Sequence, residues 1–496
     1  MSKSKSKTKV EGEYHVYRRR WAVLASYCLV FFTAQLLWIE FTAITQTVSF
    51  AYGPFADQSL ISLLTIEGPL VSFVLSFPFG AAIDKWGWKN PLGVTAVSLA
   101  VIGILRSFAP TLLILLISQI AITTVGLFAF NGISKLTTQW FPFHEGATAQ
   151  GIGTLSQFVG LMVPLALSPV LVNMLGNPLL NPFESLRETS LIYGFIAVAV
   201  AVIFFAVARE RPPKPPEQRV EEETVSLRKG FSRILRVGQF WVLSAVFLCG
   251  FAIYLGLTTW ITNIISSNEP TFQKFLELYS AQTNPYAVPF LLSQSQVQGG
   301  LVAALITLGG ILGCLVLPAI SDRINRRKIF MAIAAIPAFI LVYIIGMTNT
   351  SVMLTIPGVN ISISVVMIAA FLLGFFLLSA LPVAFQMAME TKAIGPMLAG
   401  LAVGGLFTFG NLGGTIGPLV MQFFQTSSLT NTLSQLLYWQ NYITIISQAW
   451  WFTLIPSTPI VLPGSFYMAI LFIVIVGLAA IAAVALLKDT HAETKT

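Results

Sequence analysis

Four ionisable side chains sit inside otherwise apolar stretches of this 496-residue chain: Glu40, Glu67, Arg106 and Lys135. A charge in a bilayer interior is costly and is a functional candidate by default. Counted from the midpoints of their stretches at about 1.5 Å per residue, Glu40 and Arg106 lie roughly 9 to 10 Å from the midplane and Glu67 roughly 5 Å, all toward the same side. Two chemistries fit two carboxylates and one cation. In the first, Arg106 forms a salt bridge with Glu67 or Glu40 that only holds the fold together. In the second, Glu40, Glu67 and Arg106 form a charge relay, and the carboxylate left without a counter-charge carries a proton or faces a cationic solute. Glu40, two residues from Trp38, is the expected carrier, with Glu67 next. Lys135 is placed to snorkel to the nearer surface, a structural role. The polar groups near the midplane are uncharged: Gln35, Trp38, Gln157, Tyr254 and Asn411. Aromatic faces with amides suit a small cation or zwitterion, and each of these groups also suits an interhelical hydrogen bond.

The elements that position these residues are twelve apolar windows, each long enough to span a bilayer. They run over residues 21–46, 59–82, 91–108, 112–138, 147–172 and 190–208, then 238–264, 297–320, 329–347, 362–389, 395–424 and 465–487. The chain is 55% apolar and 10% charged, against about 25% charged in soluble domains. The formal charge of +8 does not point to nucleic acid, because the basic residues lie between windows rather than in a patch with interleaved aromatics. With the N-terminus inside and twelve crossings, 24 of the 28 Lys and Arg residues fall on the cytoplasmic side, as the positive-inside rule requires. Cys28, Cys249 and Cys314 lie in separate windows, and His15, His144 and His491 in polar connections or tails. No disulfide framework, metal site or His-based catalysis is expected from that spacing, nor any cofactor.

A charged turn occurs twice. Gly80, Asp84, Lys85, Gly87 and Lys89 close the second window, and Asp322, Arg323, Asn325, Arg326 and Arg327 close the eighth. Gly87 and Asn325 hold the same place, and both residue types tolerate a left-handed backbone. A second echo follows the fourth and tenth windows. Glu145 precedes a stretch with Gly151, Gly153, Gly160, Pro164 and Pro169, and Glu390 precedes one with Gly400, Gly404, Gly410, Gly413, Gly417 and Pro418. Such glycines let helices approach closely in a bilayer, so the fifth and eleventh helices are expected as packed, flexing elements at the junction of two halves.

The repeated turn resembles the signature of the major facilitator superfamily, with Trp88 where that family prefers a basic residue and Pro318 where the second copy has glycine. The resemblance implies an all-α membrane protein of twelve helices in two pseudo-symmetric six-helix bundles, with the two turns acting as gating loops. Within that superfamily, Arg19, Arg20, Trp21 leading to Trp38, Ile39, Glu40, Phe41, and the stretch from Trp140 to Pro164, look like the feline leukaemia virus subgroup C receptor-related transporters. Those proteins are associated with haem and with choline or ethanolamine transport. Their Trp in helix 1 and Gln in helix 5 fall on Trp38 and Gln157, while Glu40 replaces a Gln.

The expected organisation is a basic tail (1–20), a six-helix half (21–208), a linker with a short interfacial helix (209–236), a second half (237–487) and a tail (488–496). Long outer connections are expected at 265–296 and 425–464. The expected function is that of a secondary transporter, monomeric in a plasma membrane, that moves a small organic solute by alternating access, with protons as the candidate coupling ion. The alternative is a transporter-like receptor that binds without translocating. No nucleotide-binding loop is present, and an enzyme is not expected. The topology has a direct test in a background whose three cysteines are replaced. Ser226→Cys and Ser428→Cys should react with an impermeant thiol reagent from opposite sides of the membrane, and same-side labelling overturns the scheme.

Overall fold

Without water to satisfy backbone N–H and C=O groups, a chain that crosses a bilayer takes the helix, and helices run through all twelve windows. The computed structural model describes residues 15–53, 58–176, 181–216, 227–268, 287–324, 326–347, 353–356, 361–391, 393–426 and 464–487. Most of the tails, part of the linker, most of the two long connections, Asn325, Lys392 and the side chain of Asp84 lie outside the described residues. The N-terminal half contains α1 (Arg20–Ile39), α2 (Thr45–Tyr52), α3 (Gln58–Trp86), α4 (Lys89–Leu105), α5 (Leu112–Trp140), α6 (Phe143–Leu175) and α7 (Pro182–Val207). In the linker, α8 (Leu227–Ile234) precedes the C-terminal half: α9 (Gly238–Asn268), α10 (Ala287–Ile324), α11 (Arg327–Met347), α12 (Val365–Glu390), α13 (Gly395–Thr426) and α14 (Gly464–Leu486). Among the described residues ten helices are long and apolar enough to cross a membrane, and α3 adds a shorter apolar stretch, Leu60–Ser76.

Two local features differ from a purely helical expectation. Met353–Ile356 and Ile361–Ser364 form an antiparallel hairpin between α11 and α12, with Met353 opposite Ser364. Alternating apolar and hydroxyl residues favour a strand once the chain leaves the helix. The second is in the first window, which is not one helix. α1 stops at Ile39, a 3-10 turn spans Thr42–Ile44, and α2 completes the crossing.

That break is held by buried charge. A carbonyl near the end of a helix lacks its intrahelical partner, and here two such groups receive side chains. Arg106 donates to the Leu37 carbonyl at 2.7 Å, and Gln119 of α5 donates to that of Trp38. Arg106 also forms an ion pair with Glu40, both side chains being fully buried, and donates to Gln119 Oε1 at 2.9 Å. The second Glu40 oxygen accepts from Ser190 of α7 at 2.5 Å. One cluster thus joins α1, α5, α7 and the 3-10 turn after α4.

The halves meet along two helix pairs, α6 with α10 and α3 with α13. Their closeness depends on small residues: a methyl group on Gly300 of α10 would collide with the Leu165 carbonyl of α6. The glycine-rich fifth and eleventh helices therefore do lie at the junction, each against a partner from the other half. α8 rests against α13, with Ile234 buried in the C-terminal core.

At one end of the bundle lie both charged turns and the linker, hereafter the basic end. Gly87 has φ +83° and ends α3 in the left-handed region. The next two amides, at the start of α4, need acceptors. Glu210, just past α7, supplies them: Trp88 N donates at 3.2 Å and Lys89 N at 2.8 Å. In return the Trp88 indole donates to the Glu210 carbonyl at 3.0 Å. Gly80 faces Asn131, and Lys85 is exposed with its ammonium 6.0 Å from the Trp86 ring. In the second turn the buried cation is Arg327, while Arg323 and Arg326 are exposed. Arg327 pairs with Asp322 and, at 3.0 Å, with Glu390 at the end of α12. The corresponding Glu145 pairs instead with Arg20 at 2.9 Å.

Breaking a buried ion pair from one side costs about 3–5 kcal/mol, because the other charge stays buried. Arg106→Met should therefore lower thermal stability in detergent sharply. The double variant Arg106→Met with Glu40→Gln should recover part of that loss, and scanning fluorimetry of the purified proteins checks both.

Candidate functional site

Between the halves, near the middle of the bundle, lies a cavity of about 790 Å³ of empty space, counting the part continuous with solvent. Five polar residues singled out in the sequence line it together: Gln35 and Trp38 from α1, Gln157 from α6, Tyr254 from α9 and Asn411 from α13. Phe130, Phe251 and Phe407 supply aromatic faces from α5, α9 and α13. Phe407 and Phe130 meet edge to face across the halves, with ring centroids 5.3 Å apart.

Each side chain has a physical reason for its place. Trp38 lies over Gly68 of α3, where a Cβ would strike the indole ring. Its backbone is fixed by the bond from Gln119 to its carbonyl, so the break in the first crossing sets the ring into the cavity. Trp38 Nε1 is buried and has no hydrogen-bond partner among the described residues. Tyr254 is steadied by a 3.0 Å hydrogen bond between its hydroxyl and Thr307 of α10. A buried indole N–H without a partner is rare, and together with two side-chain amides it gives the cavity directional polar groups on an apolar wall.

The charged residues divide. Glu40, expected in this site and as the proton carrier, is not brought to the cavity, since Arg106 and Ser190 take its two oxygens. Arg106 is 2% exposed and belongs to the same cluster. Glu67 lies closer to the cavity wall: its Oε1 accepts from Thr123 at 2.7 Å, and Thr123 and Gly68 both line the cavity. Lys135 donates to the Ile83 carbonyl at 2.7 Å near the basic end.

The two ends of the cavity differ. Away from the basic end the halves are bonded: Thr47 donates to Gln296 at 3.1 Å, Gln296 to Gln46 at 3.2 Å, and Ser62 to Gln422 at 2.6 Å. Toward the basic end, Gly151 and Gly404 meet open space. Each lies seven residues, about two turns, before a cavity residue, Phe158 and Asn411 respectively. The cavity is thus closed at the far end, and the helix faces below it on the basic side are uncovered. Sequence reasoning missed these gate residues and Glu210. A lone Gln near a window edge carries no sign of its partner, whereas the bare amides that follow a left-handed turn are a signal for a nearby carboxylate.

A family model described as Major Facilitator Superfamily matches residues 23–418. Among curated proteins, solute carrier family 49 member A3 of Danio rerio is 23% identical, over 85% of this chain and 82% of that one. The choline/ethanolamine transporter flvcr2b of the same organism is 22% identical, over 76% of this chain and 73% of its own. An uncharacterized protein of Archaeoglobus fulgidus is 27% identical over 49% of this chain and 90% of its own. Among solved structures, a bacterial homologue of the human lysosomal transporter Spinster aligns with a TM-score of 0.63 at 16% identity, covering 96% of this chain and 99% of that one. The nucleoside transporter NupG aligns with a TM-score of 0.60 at 13% identity, covering 94% and 100%. A chain whose two helical halves enclose a cavity gated at one end, and which this family's model matches over most of its length, belongs to the major facilitator superfamily: it is an integral, multi-pass membrane protein that transports a small solute by alternating access, and not an enzyme.

Proposed function

We propose that the solute is a small organic cation or zwitterion of the choline or ethanolamine kind, bound in the cavity between the halves. The observation that carries this is the lining itself. Trp38, Tyr254 and four phenylalanines surround the space, and Gln35, Gln157 and Asn411 provide the hydrogen bonds. Among the described residues no cationic side chain lines it. A quaternary or primary ammonium is favoured over aromatic faces because the ring quadrupole attracts a cation that has shed water. The similarity to a choline/ethanolamine transporter supports the same class.

The scheme has twelve crossings, with both termini and the linker cytoplasmic, in a plasma membrane. The basic end is then the inner end, and the closed far gate together with the uncovered faces of α6 and α13 makes this an inward-facing state. The protein works as a monomer, because the cavity and its far gate are made within one chain. Protons are the coupling ion.

Uptake of labelled choline and ethanolamine into proteoliposomes tests the reading. Removing a desolvated cation–π contact of about 2 kcal/mol weakens binding roughly 30-fold, so Trp38→Ala should raise the half-saturating choline concentration by about that factor. Tyr254→Phe keeps the ring and should change it far less. Uptake by Trp38→Ala equal to the unmodified protein overturns the assignment of this cavity.

A further inference from the structure

Glu67 has an environment unlike that of any other described acid in the chain. It is 5% exposed, about a third of the way along α3. Oε1 accepts one hydrogen bond, from Thr123, and Oε2 is buried with no hydrogen-bond partner among the described residues. The helices packed around it bring no free counter-charge. From α1 come Glu40, held by Arg106, and Tyr27, bonded to the Ala129 carbonyl, with Cys28 beside it. From α2 comes Tyr52, bonded to the Ala109 carbonyl at 3.1 Å. Besides Thr123, α5 carries Lys135, which donates to the Ile83 carbonyl at 2.7 Å, and α4 carries Lys89 in its first turn at the basic end. α13 contains no ionisable residue at all. Across the cavity, Tyr254 shares its hydrogen bond with Thr307.

We propose that Glu67 is a proton site that the solute empties: an organic cation entering the cavity displaces the Glu67 proton, so that the transporter exchanges protons for cations. An ionised carboxylate with a single donor and no cation is costly in this setting, so the empty cavity keeps the proton on Glu67. Thr123 and Gly68, its hydrogen-bond partner and its chain neighbour, both form the cavity wall. A cation in the cavity therefore sits close to the carboxylate in a low-dielectric interior and supplies the missing counter-charge. The balance is simple: protonated Glu67 and a free cation become a carboxylate, a bound cation and one released proton. After the solute leaves on the opposite side, Glu67 takes a proton from that side and carries it back. This rests on reading the cavity as a cation site, but the proton site itself is observable without any solute.

Infrared spectroscopy of the reconstituted protein makes the test. Without solute, the pH titration should show the carbonyl stretch of a protonated carboxylic acid, lost in Glu67→Gln and restored at a shifted frequency in Glu67→Asp. The same band in Glu67→Gln overturns the proton site. Adding choline should convert the band to carboxylate and release about one proton per bound choline into weakly buffered medium. Binding with an unchanged band overturns the exchange. A wild-type band with no choline binding keeps the proton site but refutes the choline reading and, with it, exchange for this solute. Glu67→Asp guards against a folding defect in Glu67→Gln.

Discussion

The Glu40–Arg106 ion pair fixes where the first membrane crossing breaks, and the rest of the site follows from that break. A straight helix through 20–52 would satisfy its own carbonyls and withhold two of them from Arg106 and Gln119. The broken one exposes the Leu37 and Trp38 carbonyls to those two side chains. On one side of the break α1 holds Gln35 and Trp38 toward the cavity. On the other, α2 carries Gln46 and Thr47 to Gln296 of the opposite half. One cluster of buried polar groups thus positions both the solute cavity and the far gate.

The kinds of contact are divided according to what has to move. Within the N-terminal half the cluster uses a fully buried ion pair, whose one-sided loss costs several kcal/mol. Across the far gate the described contacts are neutral hydrogen bonds, each worth about 0.5–1.5 kcal/mol net. An alternating-access cycle breaks the gate on every turn and leaves each half intact. The weak bonds therefore sit where the protein opens, and the strong ones where it stays rigid. At the basic end, Arg327 with Asp322 and Glu390, and Glu210 with Trp88 and Lys89, join helices within a half and leave the halves free to separate there.

Much of the architecture was legible because it is one-dimensional. Apolar windows set the helices, basic residues between them mark one end, and the repeated Asp84 and Asp322 turns mark the two halves. The midplane amides and aromatics were legible for the same reason, since depth along a helix is only a residue count. Rotation and breakage were not. Hydropathy is the same for a straight window and for one broken after Ile39, so the count placed Glu40 beside Trp38 when the break turns it toward α7. Depth put Arg106 level with Glu40 and near Glu67 without choosing between them, and the choice is made by α5 and α7, which offer Gln119 and Ser190 to one side only. Among four basic residues in six positions after Asp322, only helix orientation could say that Arg327 points inward to Glu390.

Glu40 and Glu67 show how the same side chain serves opposite ends in one half. Glu40 has a guanidinium and a hydroxyl donor, is fully buried, and sits where nothing has to change during transport. Glu67 has one donor and lies on α3, the helix that also carries the gate serine Ser62, the cavity residues Gly68 and Pro69, and the basic-end turn at Gly87. Pro69 and Pro78 interrupt the backbone bonding of that helix, which lets it bend between those points. A change of charge at Glu67 therefore acts on the element that touches the far gate, the solute and the basic end together, and α13, which it packs against, has no charge of its own to oppose it.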